Sequence, residues 1–174
     1  NKTMKSFKKL LYEVLMTVQV RDHYEDIYKA YQRAINYLNS NNEIPIEDIN
    51  LISKNPEHSY QIARKFVMKH KEIPKILLNS ILNAKDAKIS AAKLAHYYIM
   101  SSPRIFPNIP QEIIYKIKED DILLKLLLRS FKKHLEYIYK YPGYHAGERE
   151  FLYQDYKQKL EQFLTDNPET IMFF

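Results

Sequence analysis

The sequence contains no cysteine and only two glycines, Gly143 and Gly147. Without cysteine there can be no disulfide framework, no thiolate zinc site and no cysteine nucleophile, an absence that fits the cytoplasm. So few glycines leave no Gly-rich loop to cradle a phosphate, and β-sheet proteins with tight turns rarely manage on so little. Long apolar runs are missing too. The longest is about four residues, far below the roughly 20 of a membrane span. Leu10–Leu11 and Val14–Leu15 are interrupted by Tyr12 and Glu13, so the opening does not read as a signal peptide. Met4 reads as the natural start, with Asn1–Lys2–Thr3 ahead of it.

The chain has 174 residues, 45% of them hydrophobic and 28% charged, which suits one globular domain with its own core. The net charge is +6 and unevenly placed: residues 1–42, 43–107, 108–141 and 142–174 sum to +3, +4, +2 and −3. A basic body of this kind attracts phosphates. Yet lysine outnumbers arginine 21 to 6, and arginine is the better bidentate reader of phosphate.

Helical periodicity runs throughout. Phe7, Leu10, Leu11, Val14, Leu15 and Val18 form one apolar stripe, and Tyr24, Ile27, Tyr28, Tyr31, Ile35 and Leu38 form another. Further stripes hold Ile62, Ala63, Phe66 and Val67; Ala92, Ala95, Tyr98 and Ile99; Ile122, Leu123, Leu126, Leu127, Phe131 and Ile138; and Leu152, Tyr156, Leu160, Phe163 and Leu164. No stretch sustains period-two alternation. The expected fold is all-α, a short α-solenoid or helical-repeat bundle of about eight or nine helices, with most of the fifteen tyrosines facing the core.

A tripeptide recurs along the chain: Glu43–Ile44–Pro45, Glu72–Ile73–Pro74 and Asn108–Ile109–Pro110. Proline is tolerated in the first helical turn, where its missing N–H would be unpaired anyway. Each tripeptide therefore reads as a helix entry, with the isoleucine packing back as a staple. After the first, Asn55 can cap and Pro56 and Glu57 open a second helix. Residues 59–67 align with 91–99, matching Ala63 to Ala95, which places these two small residues at helix crossings. The division expected is an N-terminal helical pair (1–42), three degenerate repeats (43–141), and a loop with a C-terminal helix (142–174), all in one domain. Asp166–Asn167–Pro168–Glu169 echoes Lys54–Asn55–Pro56–Glu57, as a last capping turn or a further repeat cut short.

Asn55–Val67 resembles the degenerate helical repeats of uncharacterised tailed-bacteriophage proteins, through Pro56, Glu57, Tyr60, Ala63 and Val67. The likeness extends over residues 43–107. It implies helix–turn–helix units and a phage-encoded protein in the host cytoplasm, and it supplies no catalytic residues. Met4–Glu13 is similar to the capsid-targeting helix of phage internal head proteins, although more basic, which implies a virion-associated protein.

Candidate sites are few. Arg64, Lys65, Lys69 and Lys71 form the densest basic run, which Lys88 and Lys93 extend. With Tyr97 they could hold a nucleic-acid backbone and stack on bases, or serve as a solvated face around a protein partner. Tyr144, His145, Glu148 and Arg149 surround the two glycines. His145 with Glu148 has the chemistry of an acid/base pair, and Glu148 equally suits a helix N-terminus. Asp22, His23, Glu25 and Asp26 have hard-ligand chemistry but also suit a helix start. No His-Glu-x-x-His pair exists, and no cofactor or metal is expected. The expectation is a non-enzymatic module that binds a protein partner, with nucleic-acid binding as the alternative. Oligomeric state is open.

Overall fold

The computed structural model of the protein describes residues 2–141, 143 and 145–173, except the side chains of 2–5 and 18–22. Among the described residues there is no strand. Over the described residues eight α-helices run in order: α1 (Lys2–Asn39), α2 (Ile46–Ile52), α3 (Pro56–Met68), α4 (Lys75–Leu82), α5 (Ala87–Ser101), α6 (Gln111–Lys118), α7 (Asp121–Lys140) and α8 (Ala146–Asp166), followed by a 3-10 helix, Pro168–Phe173. The fold is all-α. None of these helices is long and apolar enough to cross a membrane.

The chain gathers into two compact units, Asn1–Ile62 with Pro74–Ser80, and Ala63–Ile73 with Ile81–Phe174. In the first, α1 packs on α2. The expected pair of helices over residues 1–42 is a single helix of 38 residues. The apolar stripe changes phase after Val18, but no glycine or proline interrupts residues 2–39, so nothing ends the hydrogen-bond ladder. On the second half of α1 the buried residues are Ile27, Ala30, Ala34 and Leu38. Tyr24 and Tyr28, expected in that stripe's core face, are exposed instead. Two alanines on one face let α2 come close, and a tyrosine there would hold it off. Tyr31 stacks on His58 at 4.5 Å between ring centroids.

The recurring tripeptides are helix entries of one design, displaced by one position from the first turn. Pro45 and Pro110 are the N-cap residues of α2 and α6, with φ/ψ of −55°/142° and −52°/137°. Pro74 directly precedes α4. Each proline carbonyl accepts the first helical bonds, from Asp48 and Ile49 at 3.0 and 3.1 Å, Leu77 and Leu78 at 3.0 and 3.1 Å, and Ile113 and Ile114 at 3.0 and 3.3 Å. A cap residue takes extended ψ, which proline's fixed φ accommodates. At the start of α3 the Asn55 side chain accepts from the His58 N–H at 3.1 Å, with Pro56 in the first helical position.

The second unit packs α5 on α6 and α7, and α7 on α8 and the 3-10 helix. Its core holds Leu94, Ala95 and Ile99, the isoleucines 113, 114 and 117 of α6, Leu124, Leu128 and Phe131, and Tyr156 and Leu160. Ala63 and Ala95 are both fully buried. On α7 the buried set includes Leu124 and Leu128, whereas Ile122 and Leu126, expected in the stripe, are exposed. Asp120 caps this helix by accepting from the N–H groups of Ile122 and Leu123. Asn167 inverts the role of Asn55. Its amide donates back to the Phe163 carbonyl at 2.8 Å, closing the C-terminus of α8, and only a 3-10 turn follows.

Candidate functional site

Two clefts open in the second unit, both lined by one irregular segment. Residues 102–110 hold Pro103, Pro107 and Pro110, which deny the backbone the N–H groups for a helix. The segment therefore stays irregular between α5 and α6.

The larger cleft has a volume of about 630 Å³ and is lined by His70, Lys71, Glu72, Tyr98, Ile105 and Phe106 among others. The end of α3 shapes its rim. His70 takes a left-handed conformation with φ 57°. The His70 N–H donates to the Val67 carbonyl at 3.0 Å and the Lys71 N–H to the Phe66 carbonyl at 2.9 Å, the Schellman closure of a helix. That turn sends Lys71 and Glu72 into the cleft's wall. Burial, and then the negative charge of Glu72, push the Tyr98 phenol up to about 12, so it remains a neutral donor across the physiological range. Glu112 lines the same cleft, which thus carries both signs of charge beside apolar walls.

The His70 Nδ1 lies 3.4 Å from the Ser102 hydroxyl, at the long limit of a hydrogen bond. Among the described residues no carboxylate pairs with His70 to orient it as a base, the third member that an activated serine requires. The smaller cleft, about 380 Å³, is lined by Phe106, Phe131, Phe163, Lys159, Gln162 and Asn167 among others. Phe106 joins Phe131 and Tyr156 in one aromatic cluster, with centroids 4.9 and 5.2 Å from its own.

The basic run is only partly gathered. Arg64 donates to the Tyr97 hydroxyl at 3.3 Å, and its guanidinium carbon lies 5.3 Å from that ring's centre. Lys93 stands one turn before Tyr97 on α5, on the same side. Lys88 is half a turn round from Tyr97, on the opposite face of the helix. Lys65 and Lys69 are half-buried, and Lys71 is exposed at the cleft.

In the loop, Tyr144 lies outside the described residues. His145 is the N-cap of α8 and its carbonyl accepts from the Arg149 N–H at 2.9 Å. His145 and Glu148 are both exposed and line neither cleft, and Arg149 is half-buried. The helix starts at Ala146, and Gly147 lies inside it. Neither glycine has positive φ; among the described residues Asn41 and His70 take that conformation. In the acidic group, the Asp22 side chain lies outside the described residues, while His23, Glu25 and Asp26 are exposed, Glu25 pairing with Lys29 at 3.6 Å. Among the described residues no cluster of three metal-ligating side chains forms.

Sequence reading missed the clefts. Their signal is the crowding of three prolines between residues 103 and 110. Compared with protein-family models, curated proteins and solved structures, the chain matches none.

Proposed function

We propose that the protein is a non-catalytic, phage-encoded binding module acting in the host cytoplasm, and that the larger cleft of its second unit receives an extended segment of a protein partner. One observation carries this reading. A cleft of about 630 Å³ sets Tyr98, Ile105 and Phe106 beside Lys71, Glu72 and Glu112. Aromatic and aliphatic walls supply anchor pockets. Opposed charges at the rim suit a peptide, whose own side chains and backbone carry both donors and acceptors. Two carboxylates at the same site repel a phosphate chain.

The test is site-specific photocrosslinking. Ile105 is replaced by a photoreactive amino acid in the native host, and the crosslinked species is identified by mass spectrometry. A single protein segment, lost on Tyr98→Ala or Lys71→Glu with Glu72→Lys, supports the reading. Crosslinking to RNA or DNA, or none, rejects it.

The nucleic-acid alternative is favoured by a different observation, the joining of Arg64 to Tyr97 with Lys93 one turn away. Under it, affinity for mixed-sequence DNA or RNA falls with salt at a log–log slope of about −0.7 to −0.9 per phosphate neutralised. Charge reversal at Arg64, Lys65, Lys69 and Lys71 then abolishes binding.

A further inference from the structure

The first half of α1 presents a face that no described residue covers. Every described side chain from Ser6 to Met16 and Thr17 is exposed. Phe7, Leu10, Leu11, Val14 and Leu15 are 66, 59, 48, 51 and 55% exposed. At 100° per residue these five fall on one face about 140° wide, while Lys9, Glu13 and Met16 fall on the other. Isolated exposed leucines need no explanation, but a contiguous stripe does. Nor is a three-turn helical stretch stable in water by propensity alone.

We infer that this face pairs with the same face of a second copy, as a short parallel two-helix contact, a surface distinct from the peptide cleft. The spacing of the residues selects the occupant. With Leu11 at heptad position a, Phe7 and Val14 fall at d, Leu10 at g and Leu15 at e. A parallel, in-register pair sets each g residue against the e residue five positions later in the other helix. Leu10 therefore meets Leu15 of the second copy, and Leu15 meets its Leu10, so the contact closes symmetrically on itself. Glu13 and Lys9 fall at c and f, facing water, and no like charges oppose each other among these positions.

The area matches a weak dimer. At about 100 Å² apiece the five side chains offer on the order of 500 Å² per copy. Two copies give about 1,000 Å² in total, the lower bound of a specific interface. The association is therefore reversible, with a dissociation constant in the micromolar range.

Sedimentation equilibrium of the full chain from about 1 to 200 μM reads it directly. The expected result is a monomer–dimer equilibrium. The double variant Leu11→Glu, Leu15→Glu should be monomeric throughout, with an unchanged thermal midpoint at low concentration because both residues are exposed in the monomer. The chain has no cysteine, so single cysteines report register cleanly. Phe7→Cys and Val14→Cys should each form a symmetric disulfide dimer on oxidation, and Lys9→Cys should not. A monomer at about 200 μM, or a dimer that survives the glutamates, overturns the inference. Cross-linking at only one of positions 7 and 14 overturns the parallel register. None of these outcomes bears on the peptide cleft.

Discussion

Asn41 and His70 occupy the same point of the same connector. Both have left-handed backbone, φ 56° and 57°. The following N–H reaches back to the Tyr37 carbonyl at 2.8 Å in one case and to Phe66 at 2.9 Å in the other. Next comes Glu–Ile–Pro, and the proline carbonyl opens the following helix. The recurring tripeptide is thus the second half of a longer device that ends one helix and starts the next.

Left-handed backbone costs a side chain with a β-carbon about 1–2 kcal/mol, less for asparagine. His70→Gly should therefore raise stability by about 1 kcal/mol, and Asn41→Gly by a few tenths. His70→Val should lower it by more than about 1 kcal/mol, since a β-branched residue fits this region worst. Denaturant unfolding, read as a shift in midpoint, checks all three.

Arg33 and Asp48 tie α1 to α2. The Arg33 Nη2 donates to Asp48 Oδ1 at 2.7 Å, and its Nε lies 3.3 Å from both carboxylate oxygens. Asp48 is only 6% exposed, whereas the Arg33 side chain is 48% exposed. Arg33→Met strands a buried carboxylate and should cost about 1–3 kcal/mol. Asp48→Leu should cost less, because the arginine can turn to water. The double variant should come close to the parent, giving a clear coupling energy in a double-mutant cycle. Strict additivity would mean that the pair contributes nothing.

Tyr156 is buried, and its hydroxyl has no hydrogen-bond partner among the described residues. Tyr156→Phe removes an unsatisfied polar atom and should be neutral or stabilising by up to about 1 kcal/mol. Burial also raises the Tyr156 phenol above its ordinary value, as it does Tyr98. A raised folded value favours the protonated form in the folded state. The associated stability is complete below the unfolded value of 10.0 and is lost as pH climbs through the folded one, about 12 for Tyr98. Thermal midpoints of the wild type should fall between pH 10 and about 12, and those of Tyr98→Phe, Tyr156→Phe should fall less.

Lys118 and Glu169 join α6 to the 3-10 helix at 2.6 Å. The lysine hydrogen bond holds the Glu169 carboxyl below its usual range. Here the sign is opposite: the contribution is present above the ordinary value of 4.5 and disappears as pH falls through the lowered one. Glu169→Gln should flatten the acid limb of the stability profile below pH 4.5. Because Glu169 is half exposed, the difference should be small and should shrink in high salt.

Local sequence determined the helices and their ends. Apolar spacing, Asn55 ahead of Pro56, and isoleucine–proline before α2, α4 and α6 act within a few residues of chain, so their effect is legible without neighbours. The same locality explains the single long α1: with no breaker present, a change of stripe phase leaves the backbone ladder intact. Which side of a helix is covered depended on what lay against it. Only the packing of α2 on α1 decided that Ala30 and Ala34 go inside while Tyr24 and Tyr28 stay out, because close approach rewards the smaller side chain. Only the tertiary structure brought His70 to Ser102 and Arg64 to Tyr97, and it set Lys88 apart from Tyr97 on the far side of α5. The clefts belong to the same category. A cleft is space left between elements distant in sequence, and no periodicity along the chain encodes what is left empty.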